Sequence, residues 1–131
     1  MKKIITSTLF IMIFSLISCS ASPVEIAPEK AYKMINDGGN YTIIDIRKLS
    51  SYKDGHIKNA INIEFHPNTF VKEISKIDRE TPIIIYCNSG KTTGKAKPVI
   101  KDLKFKSFHI IAGGLKAWKL KRFPIINSGN K

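Results

Sequence analysis

The segment TPIIIYCNSGKTTG, residues 81–94, places a strongly apolar run directly before a loop of small and polar residues. Residues 81–86 form the most apolar strand candidate of the chain, and a continuous apolar strand is typical of the middle of a parallel sheet. In such sheets the ligand crevice lies beyond the carboxyl ends of the strands, where Cys87 follows. The segment therefore predicts an α/β fold with a thiol at its functional edge.

Short strands and helices alternate on both sides of this segment. We predict the other strands at residues 41–47, 60–64 and 108–111, and the helices at residues 27–36, 50–52, 70–77, after the cysteine loop and at 115–120. This order favours one α/β domain over residues 26–127, with a central, mostly parallel sheet of about five short strands flanked by helices. Pro98 lies within the helix expected after the loop, so that helix either begins near Lys97 or is kinked.

The N-terminus has the pattern of an export signal. Met1-Lys2-Lys3 is followed by an uncharged apolar stretch, and residues 1–18 are too short for a typical membrane-spanning helix of about 20 residues. LISC, ending at Cys19, resembles the lipobox of bacterial lipoproteins. That resemblance predicts lipid on the Cys19 thiol, a tether over residues 19–25, and a location in the bacterial periplasm or cell envelope. Cleavage after Ala21 and an uncleaved anchor are the alternatives.

The two cysteines of the chain, Cys19 and Cys87, are expected to have separate fates. If Cys19 is lipidated or removed, the mature domain keeps one thiol and has no internal disulfide. A single cysteine and three histidines, which carry no shared motif, do not form a zinc site. We therefore predict neither a metal nor a cofactor, and we expect a monomer.

The charge balance favours anionic partners. The chain has 22 Lys and Arg against 10 Asp and Glu, a net charge of +12. Such a surface suits small anionic substrates, membrane headgroups or cell-wall polymers, and a solvated lysine-rich surface is the plainer explanation. No nucleic-acid-binding module is recognisable and an exported chain rarely meets nucleic acid, so nucleic acid is not a predicted partner.

The loop after Cys87 has the composition of an anion-binding cradle. Gly90 permits unusual backbone angles, so successive N–H groups can converge on one point. A helix that begins here adds positive potential, and Lys91 adds a mobile cation. Both backbone effects favour a thiolate, which is a strong nucleophile. Burial of Cys87 as a small apolar residue at the end of a strand is the alternative, and the loop alone does not decide between them.

Three sequence motifs, which follow one another along the chain, carry a family resemblance that covers nearly all of residues 25–125. They are DIRKLSSYKDGHIKNAINIEF at 45–65, CNSGKT at 87–92 and GGLKAWKLKRFP at 113–124. Together they resemble the rhodanese-like domain family. The resemblance implies a sulfurtransferase that moves a sulfane sulfur from thiosulfate or a similar small anionic donor to cyanide or a thiol acceptor, whether a small molecule or a protein. A non-catalytic module that binds a partner or senses redox state at the cell envelope is the alternative.

The resemblance also implies the roles of the loop residues. Cys87 would be the nucleophile and would carry the persulfide. Lys91 and Thr92 would contact the sulfonate end of the donor. The donor pocket as a whole would comprise Asn88, Ser89, Gly90, Lys91, Thr92 and Thr93.

Several positions depart from the family pattern or are expected to be structural. Lys91 and Thr92 stand where the family often has Arg, and Lys lacks the planar fork of a guanidinium. Related phosphatases and arsenate reductases place an Arg at the position of Thr93, which argues against both activities. Lys104 and Arg122 fall where the family commonly has Gly, which suggests left-handed backbone.

Four further residues of the motifs are assigned to the structure rather than to the chemistry. Asp45 and Arg47 are expected to brace the end of their strand. His56 is expected to make structural hydrogen bonds, and Trp118 to lie in the core.

Overall fold

The computed structural model describes residues 21–128. They form one parallel sheet of five strands in the order β1-β5-β4-β2-β3. The strands are β1 Val24–Ile26, β2 Thr42–Asp45, β3 Ile61–Asn62, β4 Ile83–Tyr86 and β5 Phe108–Ile111. The predicted fold class is confirmed, with β4 in the middle of the sheet. The predicted signal segment, the lipobox and Cys19 lie outside the described residues.

Helices cover both faces of the sheet. They are α1 Pro28–Asn36, α2 Leu49–Asp54, α3 Phe70–Ile74, α4 Lys91–Asp102 and α5 Gly114–Leu120. Apolar side chains of α3 and α4 pack on one face, and those of α1 and α5 pack on the other. Within residues 21–128, no helix has the length and apolar character needed to cross a membrane.

The central strand β4 determines which way Cys87 points. Its four side chains are all buried, with Ile83 and Ile85 in the layer under α4 and Ile84 and Tyr86 in the layer under α1 and α5. Because successive side chains of a strand point to opposite faces, the next residue returns to the α4 side. Cys87 indeed packs in the α4 layer.

The edge strand β1 was not predicted from the sequence. The tether was expected to reach residue 25, but Val24–Ile26 pairs in parallel with β5, with Val24 opposite His109 and Ile26 opposite Ile111. This pairing joins segments that are far apart in the sequence, and a strand of three residues leaves almost no local pattern. Within the described residues, the first strand therefore begins at Val24, inside the expected tether.

Helix α4 begins at Lys91, directly after the loop, and continues past Pro98. The expectation of a later start near Lys97 was therefore wrong. Proline deprives the carbonyl four residues earlier, that of Gly94, of its helical hydrogen bond. Gly94 and Pro98 are both exposed, so water can solvate this carbonyl. The helix keeps its first turn at the cysteine loop.

Two lysine-rich turns contain left-handed residues where glycine was expected. Lys104 and Arg122 both have φ of 56°, as the comparison with the family pattern predicted. Each costs about 1 kcal/mol relative to an ordinary conformation.

Trp118 is 1% exposed, and its indole N–H donates to the carbonyl of Pro124 at 3.0 Å, which confirms its place in the core.

Candidate active site

The loop between β4 and α4 wraps around the sulfur of Cys87. Gly90 caps α4 with φ of 99°, a left-handed conformation that glycine adopts without strain. This turn directs the Gly90 N–H at the Cys87 Sγ, with an N···S distance of 3.1 Å. The thiol thus lies at the N-terminus of a helix of 12 residues, where the macrodipole favours negative charge.

Thr93 completes the surroundings of the sulfur from the first turn of α4. Its side chain is 2% exposed, and its hydroxyl oxygen lies 3.7 Å from the Cys87 Sγ. The same hydroxyl donates to the Gly90 carbonyl at 2.9 Å. It has a single proton, which rotation can direct either to that carbonyl or to an ionised sulfur. The Thr93 hydroxyl is therefore directed into the loop, toward the sulfur and the Gly90 carbonyl.

The loop shifts the Cys87 thiol toward its ionised form. Burial raises the pKa of the thiol, but the Thr93 N–H and hydroxyl and the N–H groups of Gly90 and Thr92 outweigh burial and bring the pKa below its usual range. A cysteine buried in purely apolar surroundings has its pKa raised instead. Cys87 is thus the kind of thiol that serves as a nucleophile, although it is only 2% exposed.

The other predicted loop residues differ in their exposure to solvent. Asn88, Ser89 and Lys91 are exposed, whereas Thr92 is partly buried. A pocket of about 310 Å³ opens beside the loop, and Ser89 and Lys91 line it together with Gly90, Thr93, the carboxyl end of β5 and Glu25 of β1. Of the predicted donor-pocket residues, Ser89, Gly90, Lys91 and Thr93 lie in the wall of this pocket, whereas Asn88, Thr92 and Cys87 itself are not among the residues that line it.

The glycine pair Gly113-Gly114 brings α5 against the back of the cysteine loop. The Leu115 N–H donates to the Cys87 carbonyl at 2.8 Å, and the Lys116 N–H donates to the Asn88 carbonyl at 2.9 Å. Gly114, with φ of 60°, allows this close approach. The sequence showed Gly113-Gly114 only as a turn, so the contact between α5 and the loop was missed.

Asp45 and Arg47 hold the carboxyl end of β2, next to the end of β4. The Arg47 guanidinium donates to both carboxylate oxygens of Asp45 at 2.7–3.1 Å and to the Gly55 carbonyl at 2.6 Å. Asp45 is fully buried and lies opposite Tyr86, the residue before Cys87. The expected bracing role is confirmed, and it positions the strand that carries the thiol.

His56 likewise has a structural role. Its side chain is 3% exposed, its ring stacks on Tyr52 at 3.8 Å between centroids, and its Nδ1 lies 2.8 Å from the Tyr52 carbonyl oxygen. Its backbone forms a bridge to Ile126. The prediction that His56 makes structural hydrogen bonds is confirmed.

The variant Thr93→Val is expected to move the ionisation of Cys87 upward. Valine keeps the shape and the backbone N–H but removes the hydroxyl that helps to lower the thiol pKa. The rate of iodoacetamide alkylation follows the thiolate fraction, so the wild type should reach half its maximal rate below about pH 8.5, the usual cysteine value. The variant should reach it at higher pH and lose about 1 kcal/mol of unfolding free energy with the bond to Gly90.

The matched control for this measurement is Thr92→Val. The effect of Thr92 on the sulfur comes from its backbone N–H, which valine retains. Its alkylation profile should match that of the wild type. A wild-type midpoint at or above that of an ordinary cysteine would contradict the assignment of Cys87 as an activated thiol.

The family model for the rhodanese-like domain matches residues 27–121. This match covers most of the described chain and contains the strand, the loop and the helix around Cys87. It also includes the brace at Asp45 and Arg47 and the contact between α5 and the loop.

Individual relatives agree with this match. The chain is 30% identical over 115 residues to Rhodanese-like domain-containing protein 17 of Arabidopsis thaliana, covering 78% of this chain and 72% of that protein. It is 30% identical over 77 residues to thiosulfate sulfurtransferase GlpE of Coxiella burnetii, covering 59% and 70% of the two chains. The crystal structure of the Alr3790 protein from Anabaena sp. superposes with a TM-score of 0.70 at 25% identity, covering 78% and 82%.

Proposed function

Because this chain belongs to the rhodanese-like domain family, we propose that it is a sulfurtransferase that carries a sulfane sulfur as a persulfide on Cys87. The donor is thiosulfate or a similar small anion, and the acceptor is cyanide or a thiol. The observation that most supports this function is the sulfur of Cys87 itself, which accepts the Gly90 N–H at 3.1 Å and has a lowered thiol pKa. A similarity to thiosulfate sulfurtransferase GlpE at 30% identity agrees with this choice of donor.

In the first half of the reaction, the Cys87 thiolate attacks the outer sulfur of thiosulfate. A sulfur–sulfur bond forms to Cys87 while the bond within thiosulfate breaks, and sulfite leaves with the electron pair. Sulfite is already a stable anion, so the step needs no general acid. The N–H groups of Gly90, Thr92 and Thr93 then stabilise the negative charge of the persulfide.

Lys91 and Thr92 are the residues proposed to hold the sulfonate end of the donor. Lys91 is exposed in the first turn of α4 and lines the pocket beside the loop. Its ammonium attracts a dianion as a point charge and does not fix it with two parallel hydrogen bonds, as a guanidinium would. We therefore expect the loop to accept sulfane donors whose anionic ends differ in shape.

The experiment that tests this function is mass measurement after exposure to thiosulfate. The purified protein should gain the mass of one sulfur atom, located on the peptide that contains Cys87, with one equivalent of sulfite released. Cyanide or a thiol should then remove the added sulfur. A protein that releases no sulfite and gains no mass, although its thiol alkylates readily, would contradict the proposed donor chemistry.

We further propose that the protein is exported and anchored to the membrane by lipid on Cys19. Residues 20–23 span at most about 14 Å, so the anchor would hold the amino end of β1 near the bilayer. Val24 is at the amino end of β1, whereas Cys87 follows the carboxyl end of the parallel strand β4, so the tether approaches the sheet from the end opposite to the cysteine loop. The cysteine loop would thus face away from the lipid.

Incorporation of labelled fatty acid in bacteria tests the anchor. Label should enter the wild-type protein and be lost from Cys19→Ser. Label that persists in the variant, or a wild-type protein without label, would contradict the lipid on Cys19.

A further inference from the structure

The pocket beside the cysteine loop contains a carboxylate, which an anionic sulfur donor does not require. Lys91 brings an ammonium group from α4, and Glu25 brings a carboxylate from β1. A carboxylate repels thiosulfate, so Glu25 suits a different ligand of this pocket. Each catalytic cycle needs such a second substrate, the acceptor, which removes the sulfur from the persulfide.

The sheet register places Glu25 on the same face as the reactive sulfur. Glu25 lies opposite Ile110 of β5, and Ile110 lies opposite Ile85 of β4. Side chains directly opposite each other share a face, and so do residues two apart along a strand. Ile110, Ile85 and Cys87 all belong to the layer under α4, which is therefore also the side of Glu25.

The separation between the two side chains fits a short ligand. Two strand spacings across the sheet and two residues along β4 put the Cα atoms of Glu25 and Cys87 about 12 Å apart. The Glu25 and Cys87 side chains both leave this face of the sheet. A ligand that contacts the outer persulfide sulfur with its own sulfur therefore needs to extend over only a few atoms for an amino group to reach the Glu25 carboxylate.

The existing partner of Glu25 leaves it available to a ligand. Lys97 of α4 approaches Glu25 with Nζ and Oε1 3.4 Å apart, and the two side chains are 39% and 60% exposed. Exposed pairs at this separation contribute little because water and salt screen them. A ligand ammonium group that enters the pocket can therefore compete with Lys97 for the carboxylate.

We propose that the acceptor of the Cys87 persulfide is a thiol that carries a positively charged amino group close to its sulfur, and that Glu25 binds this group. The proposal rests on the sulfur transfer described above and specifies the class of its acceptor. It distinguishes aminothiols, including peptides with an N-terminal cysteine, from cyanide and from acidic thiols. Glu25 is in this respect a specificity-determining residue rather than a catalytic one.

The transfer step balances without a further reactant. The thiolate of the acceptor attacks the outer sulfur of the persulfide, and a new sulfur–sulfur bond forms on the acceptor. The bond from that sulfur to Cys87 breaks, and Cys87 leaves as a thiolate that the loop N–H groups stabilise. The acceptor departs as a persulfide with its ammonium group unchanged.

The test compares cysteamine with 2-mercaptoethanol as acceptors for the persulfidated full-length protein, purified in detergent. The ratio of their second-order rates is measured in the wild type and in Glu25→Gln, so that the intrinsic reactivity of each thiol cancels. We expect the ratio of the cysteamine rate to the 2-mercaptoethanol rate to fall about fivefold in Glu25→Gln. The cysteamine rate should decrease, while the 2-mercaptoethanol rate is unchanged. An unchanged ratio, or an equal loss for both thiols, would overturn the proposal.

Two further variants sharpen the comparison. Glu29→Gln removes a carboxylate of similar exposure that pairs with Lys121 outside the pocket, and it should leave the ratio unchanged. Lys97→Gln removes the competing cation and should raise the ratio. A fall of the ratio in Lys97→Gln would contradict the role given to Glu25.

The persulfide for this test is prepared with inorganic polysulfide, which delivers sulfane sulfur without using the thiosulfate site. Failure of thiosulfate to load Cys87 would contradict the proposed donor chemistry and leave the acceptor measurement intact. Normal loading by thiosulfate with an unchanged ratio in Glu25→Gln would instead overturn only the assignment of the acceptor. The two failures are therefore distinguishable.

Discussion

Cys87→Ser is expected to lower thiosulfate-dependent sulfur transfer to the uncatalysed background, a loss of more than about a thousandfold. The serine hydroxyl is not ionised at neutral pH and cannot store a sulfane sulfur in a form that a thiol or cyanide attacks. The loop donors that lower the pKa of the Cys87 thiol cannot supply this missing nucleophile. Sulfite release measured by continuous assay gives the rate.

The same substitution should leave the fold in place. Serine is close to cysteine in size, and its oxygen can accept the Gly90 N–H that now reaches the sulfur at 3.1 Å. We expect a change in unfolding free energy of about 1 kcal/mol, measured by thermal or urea unfolding. A loss of activity with a retained unfolding transition therefore reports on the chemistry and not on folding.

The control is Cys19→Ser, which removes the other cysteine of the chain. It should transfer sulfur at the wild-type rate in detergent solution. Sulfite release by Cys87→Ser at a rate close to that of the wild type would exclude Cys87 as the nucleophile. A wild-type rate no higher than the uncatalysed background would instead favour the alternative that the domain binds a partner without catalysis.

The central part of the fold was predictable because its signals are local. Residues 83–86 are apolar without interruption, and this alone predicts a strand buried on both faces, which β4 is. The change from this run to small and polar residues at Asn88 and Ser89 marks the end of the strand. These two facts and the parallel order of the sheet place Cys87 at the carboxyl end of the strands, where ligands bind in α/β sheets.

The elements that were missed or misplaced depend on contacts that are distant in sequence. Strand β1 has three residues and exists because β5 pairs with it. Helix α4 continues past Pro98 where Gly94 and Pro98 are both exposed, and this exposure is set by how the rest of the domain packs rather than by the local sequence. A sequence window around either segment does not contain the information that decides it.

The N–H groups near the Cys87 sulfur were predictable from the sequence, but the side chains that support the site were not. The sequence places Cys87 before a glycine and a helix, which is enough to expect N–H groups near the sulfur. It does not show that the Thr93 side chain turns inward, since a threonine in the first turn of a helix can equally face solvent. Glu25 comes from a strand two positions across the sheet, so no motif connects it to the loop.

The largest structural effect is expected at Gly114, where α5 meets the cysteine loop. A Cβ atom added there would overlap the Cys87 carbonyl oxygen and lie 2.8 Å from the carbonyl carbon and oxygen of Asn88. These are backbone atoms, which cannot rotate away. The positive φ of 60° adds further strain for any residue with a side chain.

Gly114→Ala should therefore lower the unfolding free energy by about 2–4 kcal/mol, from backbone strain and overpacking together. To relieve the overlap, α5 must move away from the loop, which weakens the bonds from Leu115 and Lys116 to the carbonyls of Cys87 and Asn88. Displacement of the nucleophile by as little as about 1 Å can reduce a rate by about a hundredfold. Urea unfolding and sulfite release measure the two effects.

Gly94→Ala is the matched control, because Gly94 lies in the exposed part of α4 and an added Cβ meets nothing within 4 Å. Alanine in a helix should raise the unfolding free energy by about 0.5–1 kcal/mol and leave sulfite release unchanged. If Gly114→Ala loses activity without denaturant, under conditions where the variant is fully folded, the result would show that α5 positions the cysteine loop. If it keeps both wild-type stability and wild-type activity, the close packing of α5 against Cys87 is not what holds the sulfur in place.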